Sequence, residues 1–303
     1  MDGPRPDFNT EMKVIEDLAT TRMAKKKRRF GWRFYLPALI LVAFVFIAIF
    51  APFIAPYSPV KNHLIDSLTP PSWQEGGTIN YLLGTDMLGR DILSRLMYGA
   101  RTSLIVAVIG IACSGVLGTT LGILAGYKGG WVDAVISRAI DVVQGFPLFL
   151  VALVLVVVFG AGLINIIIII TAMFWVGYAR QARAETLQIR EMAYVTLAKI
   201  AGCSDFTIMI RHVLPNVLNS IIVVATLGIG GVILLESGLS FLGAGVPPPT
   251  PTWGSMCADG RGILTTAWWV SFLPGVAIMM VVLSGNLLGD WLRDKLDPKL
   301  RDL

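Results

Sequence analysis

The sequence predicts an all-α, polytopic membrane protein with six transmembrane helices, and three observations support this fold class. Hydrophobic residues make up 55% of the 303 residues and charged residues 15%, with a mean hydropathy of +0.70, whereas soluble domains are less apolar and more charged. The chain contains six apolar runs close to the length of about 20 residues that crosses a bilayer as a helix. Lys and Arg cluster in alternate connections between these runs, as in membrane proteins of fixed orientation.

The chain begins with a polar segment, 1–29, which ends in the basic run KKKRR at 25–29. The apolar run behind it is longer than the roughly 7–15 residues of a signal-peptide core, so we expect an uncleaved first span. A basic cluster beside a span is typical of a cytoplasmic flank that contacts membrane lipid, rather than of a nucleic-acid site. We therefore predict a cytoplasmic N-terminal tail over 1–29, a transmembrane domain over 30–303, and no nucleic-acid partner.

Each apolar run is assigned to one span. The predicted spans are Trp32–Ile54, Ser103–Ala125, Ile136–Phe159, Leu163–Tyr178, Val217–Leu242 and Trp268–Leu288. Pro147 lies inside the third run and predicts a kink there, because proline lacks the amide hydrogen that a continuous helix uses.

The basic residues also predict the orientation, because cytoplasmic connections hold most of the Lys and Arg. The run at 25–29 places the N-terminus in the cytoplasm, and six spans then place the C-terminus there as well. Two further groups agree with this orientation: Arg180, Arg183, Arg190, Lys199 and Arg211 after the fourth span, and Arg293, Lys295, Lys299 and Arg301 after the sixth. The loop Gly243–Ala267 contains only Arg261 and is predicted to be outside. We expect a multi-pass protein of the cell (inner or plasma) membrane.

A long outer loop is predicted over 57–101, with irregular structure where its prolines and glycines cluster. Its end continues into the second span as GTDMLGRDILSRLMYGARTSL (84–104). Gly84–Gly89 has the Gly-x-x-x-x-Gly spacing of a P-loop, but Arg90 and Asp91 follow in place of Lys and Ser/Thr. No other P-loop pattern occurs, so we do not expect this chain to hydrolyse ATP by that route.

No motif predicts a catalytic residue or a metal site. The three cysteines lie in different segments without a CxxC spacing, and HExxH is absent. A rhomboid-like protease is excluded because neither His63 nor His212 lies in a predicted span. An intramembrane aspartyl protease is excluded because Asp290, which would have to face Asp141, lacks the GxGD motif.

A polar, partly amphipathic segment over 191–215 separates the fourth and fifth spans. Its helical pattern breaks at Gly202 and resumes near Phe206, and Pro215 opens the next apolar run. Helix, glycine turn and helix between two spans predict a short elbow at the cytoplasmic membrane surface. The apolar side of this elbow is too small to form a domain core, so we expect it to need a partner.

Small residues recur at every fourth position of the second span and form one stripe on a helix. They are Gly110, Ser114, Gly118, Gly122 and Gly126. In lipid, such stripes let a second helix approach closely, so we predict tight helix packing. The sequence leaves open whether the neighbouring helix belongs to this chain or to a partner.

Three polar residues in the spans are candidates for the substrate pathway. Glu236 lies near the outer end of the fifth span, where a carboxylate is costly and function is the default hypothesis. Two roles remain open for it: facing a cavity, or forming a helix-packing hydrogen bond with Ser240. Asp141, in the third span, has an alternative partner in Arg138, three residues earlier on the same helix face.

The segment 191–215 resembles the EAA loop of the permeases of ABC importers. Gly202, Leu214 and Pro215 match that family's spacing. The Glu-Ala-Ala positions fall on 196–198, of which only Ala198 matches, and His212 stands at the Ile position. Further blocks resemble the dipeptide/oligopeptide permease group and, within it, the C-type membrane subunit: FPLFLVAL (146–153), GTDMLGRDILSRLMYGAR (84–101), ESGLSFLGAGVPPPTPTWG (236–254) and NLLGDWLRDKLDPKL (286–300).

This resemblance implies a type I importer permease that forms half of a translocation pathway, most commonly for di- or oligopeptides. It implies four partner chains: a second, homologous permease, two cytoplasmic ATPases, and an extracytoplasmic substrate-binding protein. ATP and Mg²⁺ would bind to the ATPases, and this chain would bind no cofactor. The residues it places in the coupling to the ATPases are Thr196, Leu197, Ala198, Lys199, Gly202, Ser204, Asp205, Phe206 and Pro215.

Three alternatives remain at this point. The same group includes permeases for nickel and for glutathione, which have similar sequences. A proton-coupled secondary transporter could use Glu236 as a relay, although the sequence shows no inverted repeat. The third alternative is a structural membrane subunit that forms no pathway. Normal transport after substitution of the residues predicted to face the pathway would identify such a subunit.

Overall fold

The computed structural model describes residues 34–296, and this part of the chain is built of helices. The helices are α1 (Phe34–Ile54), α2 (Ile92–Lys128), α3 (Gly130–Gln144), α4 (Leu148–Phe159), α5 (Leu163–Ile189), α6 (Ala193–Ile200), α7 (Asp205–Ile208), α8 (Leu214–Phe241), α9 (Trp253–Gly260) and α10 (Trp269–Leu296). A π-helical turn, Met209–Val213, joins α7 to α8, and single 3-10 turns occur at Leu64–Asp66 and Arg261–Ile263. The predicted tail, 1–29, lies outside the described residues.

Five helices are long and apolar enough to cross a membrane: α1, α2, α5, the continuous unit Asp205–Phe241, and α10. They correspond to the first, second, fourth, fifth and sixth predicted spans, with ends that differ by a residue or two in the first, fifth and sixth; the predicted start of the first span, Trp32, lies outside the described residues. Several extend beyond the apolar run, because a helix does not have to stop where the bilayer stops. Helix α2 begins at Ile92, inside the range 57–101 assigned to the outer loop, so the last part of that range is helical.

The third predicted span, Ile136–Phe159, is not one continuous helix. It divides into α3 and α4, which meet at an angle of 91°. The backbone at Pro147 is extended (φ −60°, ψ 116°), and its carbonyl accepts the first hydrogen bonds of α4 from Leu150 and Val151. Pro147 therefore breaks the helix instead of kinking it, and the total is six spans only if this bent pair is counted as one.

The core is formed where α2 packs along α5 and both contact α8, which in turn packs against α10. Its fully buried side chains include Val106 of α2, Ile166 and Ile170 of α5, Val232 of α8 and Val281 of α10. At one end of this bundle, the loop end, the segment between α1 and α2 folds against α9 and the start of α10. The other end, the elbow end, consists of α6, α7 and the adjoining end of α2.

Indole groups attach the loop end to the bundle. Trp269 donates a hydrogen bond from Nε1 to the Thr85 carbonyl (3.0 Å), and Trp253 donates one to the Leu96 carbonyl (3.1 Å). Tyr81 donates to the Asp66 carboxylate (2.8 Å). Burial, assisted by this hydrogen bond, raises the pKa of Tyr81 to about 12, so its hydroxyl remains a donor at neutral pH.

Candidate coupling site and buried polar groups

The elbow consists of α6, a glycine turn and α7, in the order that the sequence predicts. Gly202 has φ +81°, a left-handed conformation that costs other L-residues about 1–2 kcal/mol. Ser204 then caps α7 by accepting a hydrogen bond from the Thr207 amide (3.3 Å). Pro215 is the second residue of α8 and directly follows the π-helical turn Met209–Val213, so its missing amide hydrogen falls where the regular hydrogen-bond pattern is already interrupted.

One side of the elbow is buried and the other exposes three large apolar side chains. Val195 and Ile208 are completely buried in a cluster that includes Val213 and Val217. On the other side, Leu197, Ile200 and Phe206 are 65%, 78% and 70% exposed. We call these three side chains the elbow surface. An apolar patch of this kind at the end of a membrane bundle is typical of a protein–protein contact.

Polar contacts attach the elbow to α2. The Asp205 carboxylate pairs with Lys128 (2.6 Å) and accepts a hydrogen bond from the Tyr127 hydroxyl (3.0 Å). The Lys199 ammonium lies 5.1 Å from the centre of the Tyr127 ring, within cation–π distance. The sequence analysis did not predict roles for Tyr127 and Lys128, because their position opposite Asp205 depends on tertiary folding.

The predicted coupling residues lie together on this elbow. Ala198 is partly buried, and the others are exposed: Thr196, Leu197, Lys199, Gly202, Ser204, Asp205, Phe206 and Pro215. Ile200, which the sequence analysis did not single out, is the most exposed of the elbow surface. Ile200 follows Leu197 by three residues in α6, and this spacing, which places both on one side of the helix, would have predicted its exposure.

The small-residue stripe of α2 faces α5 of the same chain. A Cβ atom on Gly110 would lie 2.7 Å from Ile170, one on Gly118 would lie 2.7 Å from Tyr178, and Gly122 similarly abuts Ala179. The Ser114 side chain is completely buried in the same interface, and Gly126 meets Thr186. Larger side chains at these positions would have no room, so the stripe permits the close α2–α5 contact that the core requires.

Glu236 lies between α8 and α2. It is completely buried, and its carboxylate accepts hydrogen bonds from Ser240 (2.8 Å), Ser103 (3.1 Å) and Ser237 (3.4 Å). Of the two roles that the sequence left open, this arrangement corresponds to the packing hydrogen bond, extended by Ser103 from α2. Glu236 and Ser240 therefore take part in the contact of α8 with α2, and a role for them in the substrate pathway stays a prediction.

Asp141 is not part of this buried group. Its side chain is 61% exposed and lies 4.0 Å from Arg138 in α3, the local pairing that the sequence offered as its alternative. The structure therefore separates Asp141 from Glu236 and Ser240, with which the sequence analysis had grouped it. Nor do three His, Cys, Asp or Glu side chains come together in a metal-binding arrangement anywhere in residues 34–296.

A buried charge cluster at the loop end was not predicted. Asp86 accepts hydrogen bonds from the Leu88 and Arg90 amides (2.9 Å each) and pairs with the Arg90 side chain (2.7 Å) and with Arg95. Asp259 of α9 pairs with Arg95 at 3.1 Å. Paired charges thus connect three parts of the chain: the loop, the start of α2 and α9. The loop and α2 residues of this cluster belong to the block GTDMLGRDILSR (84–95).

The comparisons with known proteins agree with this fold. The family described as "Binding-protein-dependent transport system inner membrane component" matches residues 118–302, and the "N-terminal TM domain of oligopeptide transport permease C" matches residues 38–71. The MetNI methionine ABC transporter, solved in inward-facing conformations, aligns with a TM-score of 0.56 and 17% identity, over 68% of this chain and 97% of that chain, a likeness of fold.

Two curated relatives are similar over most of their length. The di/tripeptide transport system permease protein DppC of Pseudomonas aeruginosa is 44% identical over 264 residues, 87% of each chain. The glutathione transport system permease protein GsiD of Pectobacterium atrosepticum is 38% identical over 277 residues, 89% of this chain and 90% of GsiD. The chain therefore belongs to the family of binding-protein-dependent transport system inner membrane components, and is an ABC importer permease of the dipeptide/oligopeptide group, with the C-type membrane subunits.

Proposed function

We propose that this chain forms half of the pathway of an ATP-driven importer for di- and oligopeptides. A second permease completes the pathway, two cytoplasmic ATPases drive it, and an extracytoplasmic binding protein delivers the substrate. ATP and Mg²⁺ bind to the ATPases, and this chain itself catalyses no reaction. Similarity to DppC supports the peptide substrate.

The observation that most supports the coupling role is the exposed apolar elbow surface. Leu197, Ile200 and Phe206 project from a structure that is fixed by Gly202, the Ser204 cap and the Lys128–Asp205 pair. A firmly held apolar projection can enter a pocket of an ATPase and transmit its movement to α2 and α8. The elbow end is therefore cytoplasmic and the loop end extracytoplasmic, in agreement with the distribution of Lys and Arg.

The test is co-purification of the ATPases with the tagged chain. Phe206→Ala removes the aromatic anchor of the elbow surface, and we expect a loss of about 2 kcal/mol or more in ATPase binding with unchanged membrane insertion. Phe241→Ala, at the opposite end of the continuous helical unit Asp205–Phe241, is the matched control. If the Phe206 variant retains its ATPases and peptide-stimulated hydrolysis in liposomes, the elbow is only a connector.

Similarity to GsiD supports glutathione, itself a peptide, as a second candidate substrate. A competition experiment distinguishes the two substrates. If dipeptides are the substrate, excess glutathione should not inhibit the uptake of labelled dialanine. Uptake of labelled glutathione that resists excess dialanine would favour glutathione. A proton-coupled transporter would instead continue uptake in cells depleted of ATP that keep a proton gradient.

A further inference from the structure

A cavity of about 430 Å³ lies at the elbow end, between α5, α8 and α10. Its polar lining consists of Gln181 from α5, Asn219 and Ser220 from α8, and Arg293 from α10, and its apolar wall includes Val223 and Leu227. Known ligand pockets have volumes of about 300–1,000 Å³, with apolar walls and a few convergent polar groups. The size and chemistry of this cavity fall within that class.

Three of the polar groups lack a side-chain partner in the described part of the chain. Gln181 donates a hydrogen bond to Glu185 (2.8 Å), whereas Asn219, Ser220 and Arg293 form no side-chain hydrogen bond or ion pair with any residue in the range 34–296. Asn219 and Ser220 lie within the apolar stretch of α8, where polar groups facing lipid are unfavourable. All three groups line the cavity, where they are available to hydrogen-bond water or a polar ligand.

The kind of ligand follows from the donors and acceptors. The amides of Gln181 and Asn219 each offer both a donor and an acceptor, and so does the Ser220 hydroxyl. A peptide unit also has one donor and one acceptor, whereas the phosphodiester group of a lipid headgroup only accepts. Arg293 offers the planar set of donors that binds a carboxylate with two parallel hydrogen bonds.

We propose that this cavity is a peptide-contact site on the pathway, in which Asn219 and Ser220 bind the peptide backbone and Arg293 binds the C-terminal carboxylate. The assignment rests on the proposed function, because it takes the substrate to be a peptide. It adds the residues that contact the peptide and the feature they recognise, a free C-terminus. Glu236, Ser240 and Asp141 have no part in this site.

The experiment measures protection of a cysteine in the cavity. In the full transporter complex, with the three native cysteines replaced by serine, Val223→Cys in the apolar wall of the cavity is alkylated with N-ethylmaleimide in the presence and absence of dialanine. We expect dialanine to slow this alkylation. Dialanine amide lacks the C-terminal carboxylate and so loses the charged hydrogen bond to Arg293, and we expect it to protect about tenfold more weakly. Thr120→Cys, in a shallow groove on α2, is the matched control and should show no protection.

A second variant tests Arg293. In Arg293→Gln, dialanine should protect the cavity cysteine as weakly as dialanine amide does. In Arg293→Lys, which keeps the positive charge, dialanine should still protect better than its amide, by a smaller factor. The assignment is overturned if dialanine fails to protect, if free and amidated peptides protect equally, or if inorganic phosphate protects as well as dialanine, which would indicate a lipid-headgroup site. Uptake of dialanine by cells with the unmodified chain tests the proposed function separately, so failure of the cavity and failure of the peptide substrate remain distinguishable.

Discussion

Asp205, the first residue of α7, lies 2.6 Å from the ammonium group of Lys128, the last residue of α2. This pair connects the elbow to the helix that forms the centre of the bundle. Because α2 extends from here to the buried charges at the loop end, a displacement of the elbow acts directly on a helix of 37 residues that runs the length of the bundle.

We predict that Asp205→Ala uncouples ATP hydrolysis from uptake without unfolding the protein. Both side chains are about half exposed, at 44% and 52%, and exposed pairs contribute only about 0–1 kcal/mol to stability. The loss should therefore appear as fewer peptides transported per ATP in proteoliposomes. Asp141→Ala, which breaks an exposed pair within one helix, is the control. Equal ratios of transport to hydrolysis in both variants would contradict a coupling role for the pair.

Gly118→Leu is predicted to disrupt the contact between α2 and α5. A side chain at this position meets Tyr178 and the backbone of Trp175, and overpacking of this kind costs about 1–3 kcal/mol. Ala112→Leu, on the exposed side of α2, adds three side-chain carbons, against four for Gly118→Leu, where space is available, and is the matched control. The measurement is the yield of monodisperse complex after detergent extraction, and normal assembly of the Gly118 variant would show that the interface can relax.

The sequence predicted the helical elements of this fold well, because long apolar runs and local breakers determine them. Gly202 and Pro215 mark the turn and the helix start where the structure has them. Pro147 also predicted a disturbance, but the 91° angle between α3 and α4 depends on what each half packs against, which no local pattern records.

The candidate site was less predictable where it depends on distant residues. Ser240 was found as a partner of Glu236 because it lies one turn away, whereas Ser103, 133 positions earlier in the chain, was not. The attachment of Asp205 to Tyr127 likewise joins residues 78 positions apart. Such contacts follow from how α2 packs against α8 and the elbow, and a single sequence contains no direct record of that packing.

The buried charge cluster at the loop end supports a prediction about stability. Asp86 and Arg95 are 1% and 3% exposed, and removal of one member of an isolated buried pair costs about 3–5 kcal/mol. Because Arg95 keeps Asp259 as a partner, we expect a loss below that range, from the excess of positive charge left in the cluster. Asp86→Ala should therefore lower the thermal denaturation midpoint of the purified complex. Glu75→Ala, an exposed carboxylate in the same loop, should leave it unchanged. The double variant Asp86→Ala/Arg95→Met should recover part of the loss, and no recovery would mean that packing, rather than the excess charge, determines the effect.

The orientation of the chain is the remaining prediction, and burial decides which reporter positions can test it. Thr252 is completely buried and its hydroxyl caps α9, so a cysteine there would escape labelling on either side of the membrane. Glu75 and Thr250 at the loop end, and Ser204 at the elbow, are exposed.

In a chain whose native cysteines are replaced by serine, Glu75→Cys and Thr250→Cys should react with a membrane-impermeant maleimide on intact cells. Ser204→Cys should react only after the membrane is permeabilised, because the flanking basic residues place the elbow in the cytoplasm. Labelling of Ser204→Cys on intact cells would place the elbow surface outside, where no ATPase could reach it.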